Sequence, residues 1–172
     1  MAVFIDDPNF LNDRLDWVIL QNGWSSLYCN HGILEADLTW FRNAEFKIIE
    51  VNCSDWHNPG SIHRSLKREL SFPDYYGNNL SALNDCLSDM EISGEGLVVV
   101  LRDFDMAAQE ICQKIADIFA NNSRRHILFG RKLILLIQVS SRDFSLATVG
   151  DCVVLWNRSE FLSQNEEVDG YS

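Results

Sequence analysis

Several features that would declare a function early are missing from this sequence. No stretch approaches the roughly 18 consecutive apolar residues that a membrane-crossing helix needs. The opening segment, Met1-Ala2-Val3-Phe4-Ile5-Asp6-Asp7, has no basic residue and no long apolar run, so a signal peptide is not expected. There is no internal repeat and no low-complexity tract. Only three prolines occur, at 8, 59 and 73, and the last two read as punctuation between elements. No glycine-rich phosphate loop is present, because Gly94-Glu95-Gly96 is too short and too acidic to cradle an anion. The five cysteines, at 29, 53, 86, 112 and 152, are odd in number, scattered and without a CxxC pair. That pattern excludes a simple disulfide framework and points to reduced, mostly buried thiols in a cytoplasmic protein.

Positive charge is scarce as well. Fourteen Lys and Arg stand against 25 Asp and Glu, a formal net charge of −11. Nucleic acid and anionic membranes both need a basic surface, so neither is expected as a direct partner. A basic protein partner suits this charge, although solubility alone would also account for it. What is plentiful is apolar and aromatic side chain: 47% of residues are hydrophobic, with five Trp and ten Phe. A chain of 172 residues with that content can bury one full core.

The hydrophobic pattern alternates between two kinds of segment. Asp16–Leu20 reads as a short strand, Asn22-Gly23 as a hairpin turn and Ser26–Cys29 as its return strand. Ile33, Leu34, Leu38 and Phe41 are spaced for a helix over about 33–44. Phe46–Asn52 reads as a strand. Ser61 is a plausible N-cap for a helix over 61–70 that Pro73 stops. Tyr76, Leu80, Leu83 and Leu87 mark one face of another helix. Leu97–Leu101 and Leu133–Ile137 are nearly all-apolar runs, as strands covered on both faces would be, and Met106–Asn121 between them is amphipathic. Cys152–Trp156 is a possible last strand, and an acidic tail follows from Gln164. The expectation is an α/β domain. Its three central parallel strands lie within 46–140, with an N-terminal hairpin and helix over 1–45 packed on that core and an extension over 141–172.

The most specific segment is Leu66-Lys67-Arg68-Glu69-Leu70-Ser71-Phe72-Pro73-Asp74-Tyr75-Tyr76-Gly77-Asn78-Asn79-Leu80-Ser81-Ala82-Leu83-Asn84-Asp85-Cys86-Leu87. A helix that buries Tyr76, Leu83 and Leu87 turns Asn78, Ser81, Asp85 and Ser88 to another face, which is small, polar and acidic. The window 71–105 holds seven acids and one base, Arg102, a net of −6. Such a concentration of negative charge beside a flat helix suits capture of a basic cleft.

In order and without gaps, this segment resembles the barstar family of intracellular ribonuclease inhibitors. The shared pattern is a Leu-Lys-x-Glu-Leu helix end, a Pro turn, Tyr-Tyr-Gly-x-Asn-Leu and then Ala-Leu-x-Asp-Cys-Leu. The resemblance implies a cofactor-free inhibitor that plugs a toxic ribonuclease and catalyses nothing. It implies that Asp85 enters the enzyme's phosphate site and that Tyr75, Gly77 and Asn79 pack against the enzyme. Ser81, Asn84 and Ser88 lie on the same partner-binding face. This sequence departs from the best-known pattern where Ser81 replaces an interface acid, Asn84 an interface Trp, and Asn121 an expected interface Glu. Those positions bear on which target is recognised, so a toxin other than a ribonuclease is a second reading.

Two other readings follow from the residues. Cys53 and His57, with His63 near, could form a nucleophile and base or part of a metal site. Their spacing brings them together only on a helix, and 54–59 reads as loop, so neither catalysis nor metal binding is expected. Trp17, Trp24 and Trp40 in the N-terminal extension could form a second binding surface, or the extension could lengthen the sheet. The sequence does not fix an oligomeric state.

Overall fold

The structure is a computed structural model that describes residues 14–162. The acidic segment beyond Gln164 and the first 13 residues lie outside it. Helix α1 (Leu15–Gln21) leads into β1 (Ser25–Tyr28) and α2 (His31–Asn43). Then come β2 (Lys47–Asn52), α3 (Pro59–Glu69), α4 (Leu80–Asp89) and β3 (Leu97–Arg102). A 3₁₀ turn at Phe104–Met106 precedes α5 (Gln109–Ile127), β4 (Leu133–Gln138) and the two-residue β5 (Leu155–Trp156).

The expected α/β architecture is present, with all five strands parallel in the order β2-β3-β4-β1-β5. The three strands β2, β3 and β4 are contiguous, with Leu97 opposite Leu133 and Val99 opposite both Ile49 and Leu135. β2 is an edge strand and not a central one. Lys47, Glu50 and Asn52 are exposed on it, as an edge exposed to solvent requires.

Side chains alternate between two helical layers. Val98, Val100, Ile134 and Leu136 pack with Leu34, Leu38 and Phe41 of α2 and Ile19 and Leu20 of α1. Leu97, Val99, Leu101, Leu133, Leu135 and Ile137 pack under α3, α4 and α5. This period of two within apolar runs is why β3 and β4 read as covered on both faces.

The N-terminal hairpin is not formed. Residues 15–21 are helical, and β1 runs parallel to β4, Ser25 opposite Leu135 and Tyr28 opposite Gln138. A five-residue apolar run cannot distinguish strand from helix by periodicity. The Asn22-Gly23 pair ends the helix instead of turning a hairpin. Gly23 has φ +96, and the Trp24 amide donates back to the Ile19 carbonyl at 3.1 Å, a left-handed C-terminal cap. A Cβ at Gly23 would meet the Cys152 side chain at 2.9 Å, so the residue is fixed by space as well as by φ.

Four boundaries also differ. The N-cap of α3 is Asn58, whose side chain accepts from the Ser61 amide at 2.9 Å, with Pro59 in the first turn. Ser61 therefore lies inside the helix. Tyr76 is buried but precedes α4, and α5 runs to Ile127. The last strand is Leu155–Trp156, beside β1, while Cys152 makes an isolated bridge with Val149. All five cysteines are free thiols, but only Cys53 and Cys112 are buried. Among the described residues no helix is long and apolar enough to cross a membrane.

A candidate protein-binding face on helix α4

Local chemistry sets where α4 begins. Asn79 is its N-cap, with Oδ1 accepting from the Ala82 amide at 2.8 Å and Nδ2 donating to the Gly77 carbonyl at 3.1 Å. Gly77 lies against this first turn. A Cβ there would sit 3.2 Å from Asn79 Nδ2 and 3.4 Å from the Ala82 Cβ, so a larger residue would push slightly on the cap. Leu83 and Leu87 then point inward and are fully buried. Each such Leu contributes about 2 kcal/mol of apolar burial to holding the helix on the sheet.

The loop before α4 is pinned by one side chain. The Tyr76 hydroxyl pairs with His63 Nδ1 of α3 at 2.6 Å, and its ring packs 5.0 Å from that of Phe72. Burial lowers the His63 pKa and raises that of Tyr76, so the contact joins a neutral imidazole and a neutral phenol. With Tyr76 turned in, its neighbour Tyr75 is turned out and is 82% exposed.

The far side of α4 is held by α5. Buried Asn122 donates from Nδ2 to Asn84 Oδ1 at 3.0 Å. Buried His126 bonds through Nε2 to the Leu87 carbonyl at 2.7 Å, which requires the proton on Nε2. The two contacts advance together along both helices, so α4 and α5 run parallel with their C-termini adjacent.

The seven residues singled out from the sequence therefore occupy a continuous stretch of loop and helix. Tyr75, Gly77, Asn79, Ser81 and Asp85 are exposed, while Asn84 and Ser88 are half-buried. They are not equivalent. Asn79 is committed to the cap and Asn84 to Asn122, whereas Ser81 and Asp85 lie on the outward face. Asn122 and His126 were not singled out, and His63 was weighed only beside Cys53 and His57, because no local pattern ties a residue to a partner 13 to 39 positions away.

The acids of the 71–105 window divide in space. Glu95 lies 3.9 Å from both Arg14 and Lys132, at the other end of the sheet from the loop before α4. The Asp105 carboxylate accepts from the Ser140 and Ser141 amides and the Ser140 hydroxyl. Arg102, the window's one base, is held by Glu35 and Glu50. Among the described residues Asp85, Asp89 and Glu91 enter no ion pair, and Asp74 meets only Lys67, at 3.9 Å. With Glu95 and Asp105 engaged elsewhere, five of the seven carboxylates, Asp103 among them, enter no close ion pair with a described base other than the Asp74–Lys67 contact.

The Cys53, His57 and His63 arrangement is not assembled. The Cys53 thiol is fully buried, contacts the Val51 carbonyl, and is pushed far up by that burial. An activated nucleophile needs the opposite shift. His57 is exposed, and His63 is engaged by Tyr76. Trp17, Trp24 and Trp40 are half-buried, each with a cation over its ring: Lys132, Arg124 and Arg14.

The family model described as Barstar (barnase inhibitor) matches residues 46–138. The chain belongs to the barstar family. Within the matched stretch lie β2, β3, β4 and the three helices of one layer, so α4 and its supports are family structure, whereas β1, α1 and α2 precede the match. A Bacillus subtilis (strain 168) relative named "Putative ribonuclease inhibitor YrdF" is 42% identical over 62 residues. That alignment spans 36% of this chain and 64% of the relative, so less than two thirds of the relative's length is matched.

Among solved structures, Cdc6p from Pyrobaculum aerophilum superposes with a TM-score of 0.52 at 14% identity, over 82% of this chain and 40% of that one. This likeness concerns the fold alone. In an open parallel sheet the start of the helix after the first strand is where an anion commonly sits. In this barstar-family chain a carboxylate of its own is there. Glu160 Oε1 accepts from the amides of Cys29 at 2.9 Å and Asn30 at 2.8 Å, where β1 passes into α2.

Proposed function

We propose that this barstar-family chain is a stoichiometric inhibitor that docks α4 and the loop before it into the basic active cleft of a toxic ribonuclease, protecting the producing cell from within its cytoplasm. The carrying observation is Asp85, an exposed carboxylate with no ion pair among the described residues, on the outward face of a helix held by two hydrogen bonds from buried side chains of α5. A ribonuclease holds an RNA phosphate with cationic side chains, and a carboxylate can take that phosphate's place. Asp85 stands in for the phosphate, and Tyr75 is the apolar anchor beside it. Ser81, Ser88 and the carboxamide of Asn84 fill the remaining helix surface. Asp74, Asp89 and Glu91 supply the field that draws in a basic partner.

The arrangement also suits tight binding because it is prepaid in rigidity. The loop is fixed by Tyr76 and the helix by Asn122 and His126, so little side-chain or loop entropy remains to be lost on docking. No step of this mechanism uses a cofactor or a metal.

Ser81 and Asn84 favour a second reading, an immunity protein against a toxin of another kind. Ser81 presents no charge where the family pattern carries an acid, and Asn84 is drawn toward Asn122. Specificity resides in such positions, so the same fold could meet a different cleft.

The deciding experiment is a pull-down from the native cell followed by an RNA-cleavage assay on the captured protein. Capture of a basic ribonuclease that is silenced at one-to-one stoichiometry is the expected result. Capture of a toxin without RNA-cleaving activity would favour the second reading. RNA turnover by the chain alone would overturn both.

A further inference from the structure

On the sheet face opposite α4, a cavity of about 660 Å³ opens between α1, α2, β1 and β5. Its volume lies within the ~300–1,000 Å³ typical of small-molecule sites. Leu15, Val18, Trp40 and Trp156 supply apolar and aromatic walls. One carboxylate lines it, that of Asp37 on α2. Asp37 Oδ2 accepts from the Tyr28 hydroxyl at 2.7 Å and from Asn157 Nδ2 at 2.6 Å. Oδ1 takes part in neither bond. Among the described residues Asp37 has no ion pair.

This is an unusual place to keep a charge. A carboxylate withdrawn from water is ordinarily matched by a cation. The chain does so elsewhere, where buried Asp16 meets Lys132 and Arg14. Here two neutral donors hold one oxygen and orient the group toward the cavity. We infer that this cavity is a binding site for a small organic amine, a single ammonium group on an apolar or aromatic body, with Asp37 as the counter-charge and Trp40 and Trp156 around the body.

Three further points agree with that assignment. Burial pushes the Asp37 carboxyl up, against the bonds from Tyr28 and Asn157 that pull it down, and an incoming cation would relieve this cost. Indole faces attract cations, and with Arg14 already over the Trp40 ring it is Trp156 that favours an amine over a neutral body of the same shape. Arg158 lies at the rim and is exposed. Its charge opposes any cation and a polyamine most, so among amines it leaves the monoamine. The site is separated from α4 by the sheet and does not depend on the inhibitor reading.

The test is calorimetric titration of the full chain with 2-phenylethylamine and, separately, with 2-phenylethanol, which has nearly the same shape and no charge. Saturable one-to-one binding of the amine is expected, with the alcohol at least about ten-fold weaker. Asp37→Asn keeps a carbonyl acceptor for Tyr28 and Asn157, and should bring the amine down to the level of the alcohol. Absence of saturable amine binding at millimolar concentration overturns the inference. So does equal binding of the two ligands to the unaltered chain, a comparison that holds even where Asp37→Asn does not fold. Equal amine affinity of Asp37→Asn and the unaltered chain overturns the role of Asp37.

Discussion

Glu160 and Asn30 are 130 residues apart in sequence, yet the carboxylate of one caps the start of the helix that the other begins. Glu160 Oε1 accepts from the Asn30 amide at 2.8 Å and the Cys29 amide at 2.9 Å, and it is 2% exposed. Arg142 approaches the same carboxylate at 3.6 Å. The contact fastens the segment after β5 across the end of β1 and puts a negative charge at the positive end of α2.

Removal of that carboxylate leaves the part-buried Cys29 and Asn30 amides without their acceptor. Glu160→Ala is therefore expected to lower stability by about 2–4 kcal/mol, at about 1–2 kcal/mol for each lost acceptor contact. Glu160→Gln retains an acceptor and should cost less than half as much. Urea denaturation of the three proteins reads the difference. Equal stability of Glu160→Ala and the unaltered chain would remove the latch.

Asp85→Ala tests the binding face. The residue is exposed, so the fold should survive with an unchanged denaturation midpoint. Affinity for the captured toxin should fall by at least about 2 kcal/mol, the level of a hot-spot residue and roughly thirty-fold in Kd. Glu91→Gln should mainly slow association, and less so at high salt, because its contribution is to the field. Tight binding by Asp85→Ala would place the interface elsewhere on the chain.

What the sequence made legible follows from the range of the forces involved. β3 and β4 were readable because a fully covered strand must be apolar at every position, which is a local signal. α4 was readable from Leu83 and Leu87, and its binding face from the unbroken motif around Asp85. α1 was misread as a strand because Asp16–Leu20 has no period long enough to separate helix from strand, and Asn22-Gly23 serves a helix cap as readily as a hairpin. Whether Ser25–Tyr28 pairs with α1's side of the chain or with β4 depends on a strand more than 100 residues later. The acidic window illustrates the same limit. Seven carboxylates close in sequence are parted by β3, because a strand carries Glu95 and Asp105 to opposite ends of the sheet.

Protonation of His63 is expected to loosen the binding loop. Its folded pKa is lowered by burial from an ordinary value of 6.5, so the folded protein holds fewer protons there than the unfolded chain. The stability that neutral His63 provides is complete above about pH 6.5 and declines as the pH falls below it. Stability measured between pH 7.5 and 5.5 should drop for the unaltered chain, and the drop should shrink in His63→Gln. A glutamine can still bond the Tyr76 hydroxyl but does not titrate. Identical pH profiles would assign the acid sensitivity to other groups.

β1 lies inside the sheet, between β4 and β5, and α1 and α2 cover the face formed by Val98, Val100, Ile134 and Leu136. Deletion of residues 1–44 would strip one whole layer from the core. Circular dichroism of the remaining 45–172 fragment should show no cooperative thermal transition. A folded fragment would mean that the layer of α3, α4 and α5 suffices, and its toxin affinity would then report whether the N-terminal part touches the partner.

The same N-terminal part is stapled at the opposite end of the sheet by a buried ion pair. Asp16 of α1 is fully buried, and its Oδ2 lies 2.8 Å from Lys132 Nζ, just before β4, while Arg14 reaches Oδ1 at 3.0 Å. Burial alone would raise the Asp16 pKa, but the bonds and charges of Arg14 and Lys132 outweigh it and hold the carboxyl below its usual 3.8. Asp16→Ala leaves Lys132, 14% exposed, without its nearest counter-charge and should cost about 3–5 kcal/mol. Because the folded pKa is depressed, the contribution of Asp16 is present above about pH 4 and is lost as the pH falls through the folded value. The stabilities of Asp16→Ala and the unaltered chain, far apart at pH 7, should therefore converge in strong acid. A gap that stayed constant down to pH 2 would show that Asp16 acts through packing and not through its charge.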